Sequence, residues 1–463
     1  MKYISTRGKA RSRGFVEAML TGLAEDGGLF VPDRWPQFEK SEISDLAGRR
    51  YEEIAERVML PFIGDDFSVC EFRGHIEAAY SGFAHDVRCP LVQIDSDMFL
   101  LELFHGPTLA FKDFAMQLIA RLFQTVLERR GRRATIVGAT SGDTGSAAME
   151  AFRGMQSVDV FILFPDGRVS EIQRRQMTTV AEGNVHAVAV AGDFDDCQAL
   201  VKAMFNDAEF RNRMKLAAIN SINWARVLAQ TVYYFSAATA LGAPWRNVRF
   251  SIPTGNFGDI YSGYVARKMG LPIEALVIAT NQNDILHRTI SNGSYRIHEV
   301  RKSLSPSMDI QVSSNFERAL FDACGRDGDS VGSMMARVGT GGFDIDSSVL
   351  AELRNQFLSG SCSEPETLAE IGSTKVSSGQ LVCPHTAVGI KVARELKGPP
   401  GIPTVAFSTA HPAKFPDAVE QACDISPDLP QRMADIHQLP ERICRVPNNL
   451  EAVQRAILER SSN

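Results

Sequence analysis

The chain has 463 residues, of which 44% are hydrophobic and 22% charged, and its formal net charge is -6. This charge argues against nucleic-acid binding, because phosphate backbones are held by clustered Lys and Arg. The basic N-terminus lacks a following apolar signal core, and no apolar run is long enough to span a bilayer. We therefore expect a cytoplasmic globular protein with more than one packed unit.

Cysteine and histidine spacing gives no indication of a metal site. The eight cysteines and nine histidines are scattered, without a C-x-x-C pair or a histidine pair at helical spacing. We expect most of the cysteines to be buried thiols in a reducing compartment. No metal ligands are predicted.

The first part of the chain, residues 1–92, is predicted to be a small and mainly helical domain. Apolar residues recur at helical spacing in three stretches, residues 13–24, 44–63 and 71–83. The sequence Asp26-Gly27-Gly28 separates the first two, since glycine allows turn conformations that other residues resist.

From Asp97 the pattern changes to short β-rich runs that alternate with helical segments. Six runs are candidate strands: MFLLELF, RATIVGAT, DVFILF, VHAVAVAG, VRFSIPTG and ALVIATN. Such alternation favours parallel sheets covered on both faces, where strands are continuously apolar. A seventh run, PTVAFST, brings the C-terminal part into a sheet, and the fold class is α/β.

Two Gly/Ser-rich segments, residues 327–342 and 358–380, are predicted to be turns or surface loops between elements. They could be mobile near a site, although plain surface loops explain the same composition.

Four glycine-rich or polar stretches follow candidate strands at their C-terminal ends: HGPTLAFKDF, GATSGDTGSAA, IPTGNFGDIYSGY and STAHPAKF. Open α/β sheets bind ligands at that edge. The coincidence of all four indicates a ligand site.

The stretch GNFGD, residues 255–259, leads from a strand into a helix. Its glycines can turn backbone N–H groups inward and the helix start adds positive potential, so the turn can hold a phosphate. It matches neither the P-loop nor the dinucleotide fingerprint. A purely structural turn is the alternative.

The stretch SGDTG, residues 141–145, has hydroxyl and N–H groups at a predicted helix start, which suits a carboxylate ligand. The alternative is an ordinary N-cap, in which Asp143 or Thr144 accepts from the first helical N–H groups.

Lys112 lies in the apolar helical stretch TLAFKDFAMQLIARLF. A structural interpretation pairs it with Asp113 or extends its amine to solvent. Beside a phosphate-binding turn, however, a desolvated lysine is what an aldehyde cofactor requires, because the uncharged amine can form a Schiff base.

With these residues assembled, the chain resembles the threonine synthases, pyridoxal-phosphate enzymes of the tryptophan synthase β-like fold type (fold type II). The resemblance runs nearly end to end through GLAEDGGLFVP, ELFHGPTLAFKDF, ATSGDTGSAA, AGDFDDCQALVK, SINWARVLAQ, PTGNFGD, ATNQND and STAHPAKF. It implies two three-layer domains with parallel or mixed sheets, in addition to the helical N-terminal domain. The implied large cofactor-binding domain comprises residues 93–112 and 245–463, and the implied smaller, mobile domain comprises residues 113–244.

The family resemblance also implies the cofactor contacts. Lys112 would carry the Schiff base with pyridoxal 5'-phosphate, and Thr409, with Ser408 as the alternative, would meet the pyridine nitrogen. The cofactor phosphate would be held by five residues: Gly255, Asn256, Phe257, Gly258 and Asp259. Many relatives of this fold type have Asn at the last position, so the anionic Asp259 should point away from the phosphate.

For the substrate, the resemblance implies O-phospho-L-homoserine, converted with water to L-threonine and phosphate. The α-carboxylate would be bound by the loop Thr140, Ser141, Gly142, Asp143 and Thr144, in which the partner of Asp143 is open. Candidates for the substrate phosphate are Asn315, Arg318 and Lys414, since a dianion needs cations or many donors. Lys112 would be covalent anchor and general acid/base, catalysing γ-elimination and β-hydration in the last step of threonine biosynthesis.

Two rival functions remain open at this point. One is a related pyridoxal-phosphate enzyme, a threonine or serine dehydratase or an amino-acid phospholyase. The other is a cofactor-free sensor or nucleotide-binding module that uses SGDTG and GNFGD as anion pockets. We expect a monomer or homodimer, with neither a nucleic acid nor a membrane as partner.

Overall fold

The structure is a computed structural model that describes residues 1–462. It contains two compact units. The first unit comprises Met1–His105 and Ser221–Pro427. The second comprises Gly106–Asn220 and the chain from Asp428 to the end of the described residues.

The strands have the following bounds: β1 Tyr3–Ser5, β2 Phe30–Pro32, β3 Leu91–Gln93, β4 Met98–Glu102, β5 Ala134–Ala139, β6 Val158–Pro165, β7 Val185–Ala191, β8 Leu216–Ala217, β9 Val248–Pro253, β10 Ile273–Thr280, β11 Ser294–Tyr295, β12 Phe343–Asp344, β13 Phe357–Ser361, β14 Thr404–Ser408 and β15 Ile443–Pro447.

The α-helices have the following bounds: α1 Phe15–Thr21, α2 Lys40–Ser44, α3 Tyr51–Ile63, α4 Val69–Tyr80, α5 Lys112–Arg129, α6 Asp143–Phe152, α7 Glu171–Thr178, α8 Phe194–Asn206, α9 Ala208–Met214, α10 Trp224–Ala240, α11 Gly258–Lys268, α12 Ile285–Asn292, α13 Phe316–Ala323, α14 Gly328–Arg337, α15 Ser347–Gln356, α16 Glu364–Ser378, α17 Pro384–Glu395, α18 Pro416–Cys423 and α19 Leu450–Leu458.

The first unit is built around a six-stranded sheet with the order β13-β10-β9-β14-β4-β3. All neighbours are parallel except β3, which runs antiparallel to β4 at one edge. The inner strand β14 is buried at every position, and α17 packs against it and against β9 and β10. The carboxyl ends of β9 and β14 lead into the GNFGD loop and into Thr409.

The second unit is built around a five-stranded parallel sheet with the order β15-β7-β6-β5-β8. Its central strand β6 is buried at all eight positions. One core cluster joins Phe161 and Val188 of the sheet to Met204 of α8 and Ile457 of α19. The carboxyl end of β5 leads into the SGDTG loop and α6.

The predicted α/β class and the predicted strands are confirmed. All seven apolar runs that were assigned as strands contain one: β4, β5, β6, β7, β9, β10 and β14. The N-terminal stretches contain α1, α3 and α4. That region also holds an antiparallel pair of strands, β1 and β2, which the sequence did not predict because both are only three residues long and lie far apart in the chain.

The interpretation of the two Gly/Ser-rich segments as loops was wrong. Residues 327–342 contain α14, whose start is capped by the Asp327 carboxylate accepting from the backbone of Asp329 and Ser330. Residues 358–380 contain most of β13 and all of α16. Helix α16 begins with a reciprocal cap between Ser363 and Glu366, so capping outweighs the poor helix propensity of its serines and glycine.

The two compact units divide the chain differently from the expected domain ranges, 93–112 with 245–463 and 113–244. The C-terminal segment lies in the second unit because β15 pairs with β7, with Val446 opposite Val190. Lys112 also lies in the second unit, at the first position of α5. The predicted movement of residues 113–244 stays a prediction.

Within residues 1–462, none of the helices combines the length and apolar character needed to cross a membrane. The same residues contain no group of three or more His, Cys, Asp or Glu side chains that could hold a metal ion.

Candidate active site

Lys112 is a buried lysine with an acidic partner. It opens α5 and is 7% exposed. Its Nζ lies 3.2 Å from Oδ2 of Asp143 and 4.7 Å from the centre of the Phe111 ring. Because a buried ammonium needs an anion to offset desolvation, Asp143 is the group that makes a charged lysine tolerable here.

The turn that precedes Lys112 is held by hydrogen bonds from three directions. Asp113, which is fully buried, accepts from N and Oγ1 of Thr108 at 2.8 and 2.7 Å. Gln176 Nε2 donates to Thr108 O at 3.0 Å, and Arg432 Nη2 donates to Gly106 O at 2.6 Å. The backbone that carries Lys112 is therefore fixed before any ligand binds.

Asp143 is positioned by a glutamine. Gln173 Nε2 donates to Asp143 Oδ1 at 2.9 Å, which leaves Oδ2 for Lys112. The close approach of Gln173 requires glycine at position 142, where φ is +141° and a Cβ would lie 2.3 Å from Gln173 Cδ. This geometry supplies the partner of Asp143 that the sequence left open.

Thr140 completes the SGDTG loop. Its hydroxyl accepts from the backbone N–H groups of Gly142 and Gly145, both at 2.9 Å. Thr140 thus satisfies one of the first N–H groups of α6, that of Gly145, and the capping of α6 by Asp143 or Thr144 stays a prediction. Ser141 and Thr144 are partly exposed.

The GNFGD loop connects β9 to α11 and presents an open helix start. Phe257 adopts a left-handed conformation with φ +64°, and its ring packs against Phe316 and Phe357 with centroids 5.3 and 5.2 Å apart. The N-cap residue Phe257 provides no side-chain cap to α11. Its first N–H groups are thus disposed to bind an anion such as a phosphate.

The side chain of Asp259 is directed to α10. Its Oδ1 accepts from the hydroxyl of Tyr233 at 2.5 Å and lies 3.4 Å from the hydroxyl of Tyr234, which donates to Asp259 O at 2.9 Å. Burial raises the pKa of both tyrosines, so they act as neutral donors. The carboxylate is thus held by the adjacent helix.

Arg226 is a buried cation that the sequence interpretation missed. It lies on α10 and is 3% exposed, and its Nε and Nη1 have no hydrogen-bond partner in the described part of the chain. Burial lowers the pKa of Arg226 to about 10, against the opposing influence of Tyr233 and Asp259. The one sequence signal was an arginine in the otherwise apolar stretch WARVLAQTVYYF.

Thr409 and Lys414 lie just beyond β14 and are both buried. Ser408, the residue before Thr409, accepts a 3.4 Å hydrogen bond from the hydroxyl of Thr386. Lys414 ends a 3-10 turn, Pro412–Lys414, and is fully buried. Both predicted residues are thus within the first unit, near the carboxyl end of an inner strand.

Asn315 and Arg318 are fully buried and already have protein partners. Arg318 donates from Nε to Phe30 O at 3.0 Å, from Nη2 to Ile222 O at 2.6 Å, and from Nη1 to Asn315 Oδ1. Their predicted contact with a substrate phosphate stays a prediction, but every nitrogen of this guanidinium has a protein acceptor.

Family models match almost the whole chain. The model described as threonine synthase N terminus matches residues 2–80, that described as pyridoxal-phosphate dependent enzyme matches residues 87–342, and that described as threonine synthase, C-terminal matches residues 386–457. A threonine synthase from Pseudomonas aeruginosa is 51% identical over 98% of this chain and 97% of its own length. The chain belongs to the threonine synthase family.

Solved structures agree with this membership. The pyridoxal-phosphate-bound threonine synthase from Brucella melitensis is 53% identical, with a TM-score of 0.98 and full coverage of both chains. The yeast threonine synthase structure is 40% identical, with a TM-score of 0.94 over 99% of this chain and 98% of that chain. The family resemblance, the fold class and threonine synthase activity are confirmed, and the related dehydratase or phospholyase is not favoured.

The residues present fit pyridoxal phosphate, the cofactor that the family model confirms. In the second unit Lys112 supplies a buried amine. In the first unit the start of α11, whose N-cap residue Phe257 gives no side-chain cap, supplies backbone donors, and Thr409 supplies a buried hydroxyl.

Proposed function

We propose that this pyridoxal-phosphate-dependent lyase converts O-phospho-L-homoserine and water to L-threonine and phosphate, using Lys112 as its catalytic residue. The observation that carries the proposal is the buried Lys112, placed 3.2 Å from a carboxylate that Gln173 holds in position. A buried amine with a fixed anion can be charged in one step and neutral in the next.

Lys112 would hold the cofactor through its aldehyde and would serve as the proton carrier when the substrate amine occupies that position. The cofactor supplies electron withdrawal from the substrate, which makes its α and β protons removable. Lys112 Nζ would remove the proton from Cα and later from Cβ. After phosphate leaves Cγ, protons would return at Cγ and Cα, water would add its hydroxyl at Cβ, and the remaining proton of the water would go to the released phosphate. Asp143 balances the charge on Nζ while it holds a proton.

The proposed cofactor contacts are those of the sequence interpretation. The backbone N–H groups of residues 255–259 hold the cofactor phosphate, as the uncapped start of α11 supports. The hydroxyl of Thr409, or of Ser408, meets the pyridine nitrogen. Asp259 contributes through its backbone, since its carboxylate accepts from Tyr233.

For the substrate, residues 140–144 are proposed to bind the α-carboxylate. The family resemblance gives Lys414, Asn315 and Arg318 as candidates for its phosphate, and of these we retain Lys414, since Asn315 and Arg318 already donate to protein acceptors. We add Arg226, because Nε and Nη1 of a buried guanidinium without partners in the described chain are suited to a phosphate dianion. A monomer or homodimer in the cytoplasm, with neither nucleic acid nor membrane as partner, completes the proposal.

The test is incubation of the purified protein, loaded with pyridoxal phosphate, with O-phospho-L-homoserine. We expect L-threonine and phosphate in equal amounts. Ammonia with an oxoacid would instead indicate the dehydratase. A protein that stays colourless after cofactor addition and releases no phosphate would indicate the cofactor-free alternative.

A further inference from the structure

A chain segment between β11 and α13 encloses the GNFGD loop from one side. Ser313 Oγ donates to Gly255 O at 2.6 Å. Gly255 is approached so closely by this segment that a Cβ would lie 2.8 Å from Ser307 O. The loop is therefore held by chain that is distant in sequence, as well as by its own turn geometry.

Asn315 holds the next carbonyl of the loop. Its backbone N and its Nδ2 both donate to Asn256 O, at 3.1 and 2.9 Å, and Nδ2 also donates to Ser221 O at 3.1 Å. Two successive carbonyls of the loop, those of Gly255 and Asn256, thus have buried donors on the same segment.

Arg318 in turn holds Asn315. Its Nη1 donates to Asn315 Oδ1, while the other nitrogens donate to the main-chain carbonyls of Phe30 and Ile222. Burial lowers the pKa of Arg318 to about 10, which reflects the cost of a cation in this environment. A buried guanidinium in which each nitrogen donates to a protein acceptor is suited to positioning those acceptors.

The hydrogen bonds to Gly255 O and Asn256 O also determine where the N–H groups of the same peptides point. A trans peptide is planar, so its C=O and N–H point in opposite directions. Fixing Gly255 O therefore fixes the direction of the Asn256 N–H, and fixing Asn256 O fixes that of the Phe257 N–H. Both N–H groups are directed away from Ser313 and Asn315.

We propose that Ser313, Asn315 and Arg318 are positioning residues that orient the Asn256 and Phe257 N–H groups toward the cofactor phosphate, and that none of the three touches the substrate phosphate. This inference rests on the proposed role of residues 255–259. It assigns to Asn315 and Arg318 an indirect role in place of the direct contact expected from the sequence.

The test compares two ligands that differ only by the phosphate group. Full-length protein stripped of cofactor is titrated with pyridoxal phosphate and with pyridoxal, and binding is followed by absorbance and protein fluorescence. In Asn315→Ala and Ser313→Ala we expect the Kd for pyridoxal phosphate to rise about tenfold, because oriented donors are lost, while that for pyridoxal changes less than about twofold.

Two control variants separate the possible failures. Asn184→Ala removes a comparable amide, which donates to the carbonyls of Phe152, Met155 and Val158 in the second unit. This change should leave the ratio of the Kd values for pyridoxal and pyridoxal phosphate unaltered. Asn256→Asp places a charge in the loop with little change of shape and should remove most of the affinity gained from the phosphate.

The deciding quantity is the ratio of the Kd for pyridoxal to the Kd for pyridoxal phosphate. If Asn256→Asp leaves this ratio unchanged, the loop assignment is overturned, and with it this inference. If Asn256→Asp lowers the ratio but Asn315→Ala and Ser313→Ala leave it unchanged, the inference alone is overturned. The inference would also be overturned if Asn315→Ala and Ser313→Ala lowered the affinity for both ligands equally, or if they raised only the KM for O-phospho-L-homoserine. If Arg318→Met folds, it should show the same selective loss of affinity for pyridoxal phosphate. If it does not fold, Asn315→Ala and Ser313→Ala decide the test.

Discussion

Lys112 Nζ lies 3.2 Å from Oδ2 of Asp143, whose other oxygen accepts from Gln173 at 2.9 Å. The pair links the first residue of α5 to the first residue of α6, so two helix starts in the second unit hold a buried ammonium and its counter-charge. A proton carrier benefits from this arrangement because its charged form has a fixed partner.

Asp143→Asn should keep the shape of the loop but remove the anion beside Lys112. We expect bound cofactor and a kcat lowered by about tenfold or more, because a proton on Nζ is then stabilised less in a buried site. Steady-state kinetics with O-phospho-L-homoserine and the visible absorbance of the protein measure the two effects.

Gln173→Ala is the matched control, since it leaves the carboxylate but removes its orienting donor. A smaller fall in kcat is expected from it than from Asp143→Asn. An unchanged kcat in Asp143→Asn would contradict the assigned role of the ion pair.

Arg226→Gln should raise the KM for O-phospho-L-homoserine more than it lowers kcat. Charge-assisted hydrogen bonds to a phosphate are lost, and a change of about tenfold to a hundredfold is expected from their usual strength. Arg226→Lys should recover part of the affinity, since the charge returns without the planar donor pair.

The affinity for pyridoxal phosphate, measured on the same Arg226 variants, shows whether Arg226 binds the substrate or the cofactor. If only that affinity changes, Arg226 acts on the cofactor and its assignment to the substrate is wrong.

Tyr233→Phe should lower the stability of the first unit. The hydroxyl donates to the buried carboxylate of Asp259 at 2.5 Å, and the loss of such a donor costs about 1–3 kcal/mol. Thermal unfolding of the full chain measures the effect. Tyr234→Phe, whose shortest bond is to the backbone carbonyl of Asp259, should cost less, and an unchanged midpoint for Tyr233→Phe would count against this anchoring of the loop.

Glu150 should make stability fall between weakly acidic and neutral pH. Burial raises the pKa of this carboxyl from its usual 4.5 to about 7, only partly opposed by Arg153. The folded protein therefore binds the proton more tightly than the unfolded chain, and the stabilisation is present at low pH and lost as pH rises to about 7.

Glu150→Gln removes this titration. Its thermal midpoint should exceed that of the parent at about pH 8 and come close to it at about pH 5, because the parent then carries a neutral side chain too. A midpoint difference that is the same at both values would show that Glu150 does not titrate in this range.

The parallel strands could be predicted from the sequence, because buried strands such as β6 and β14 are continuous apolar runs bounded by turns. The prediction failed for β13 and β15, whose mixed polar and apolar residues resemble loop. Strand β15 forms through pairing with β7, a contact between chain segments about 250 residues apart that no local pattern contains.

For the site, the residue types and their positions after strand ends were sufficient to select Lys112 and the two glycine-rich loops. The pairing of Lys112 with Asp143 could not be predicted, because it depends on how α5 and α6 pack. Arg226 was missed for the same reason: only the packing of α10 shows that its guanidinium is buried.

Borohydride reduction of the cofactor-loaded protein, followed by peptide mapping, shows which lysine bonds to the cofactor. We expect the reduced cofactor on Lys112 alone, and we expect Lys112→Ala to give no label and to make no threonine. A label on another lysine, or a Lys112→Ala protein that still makes threonine, would contradict this role of Lys112.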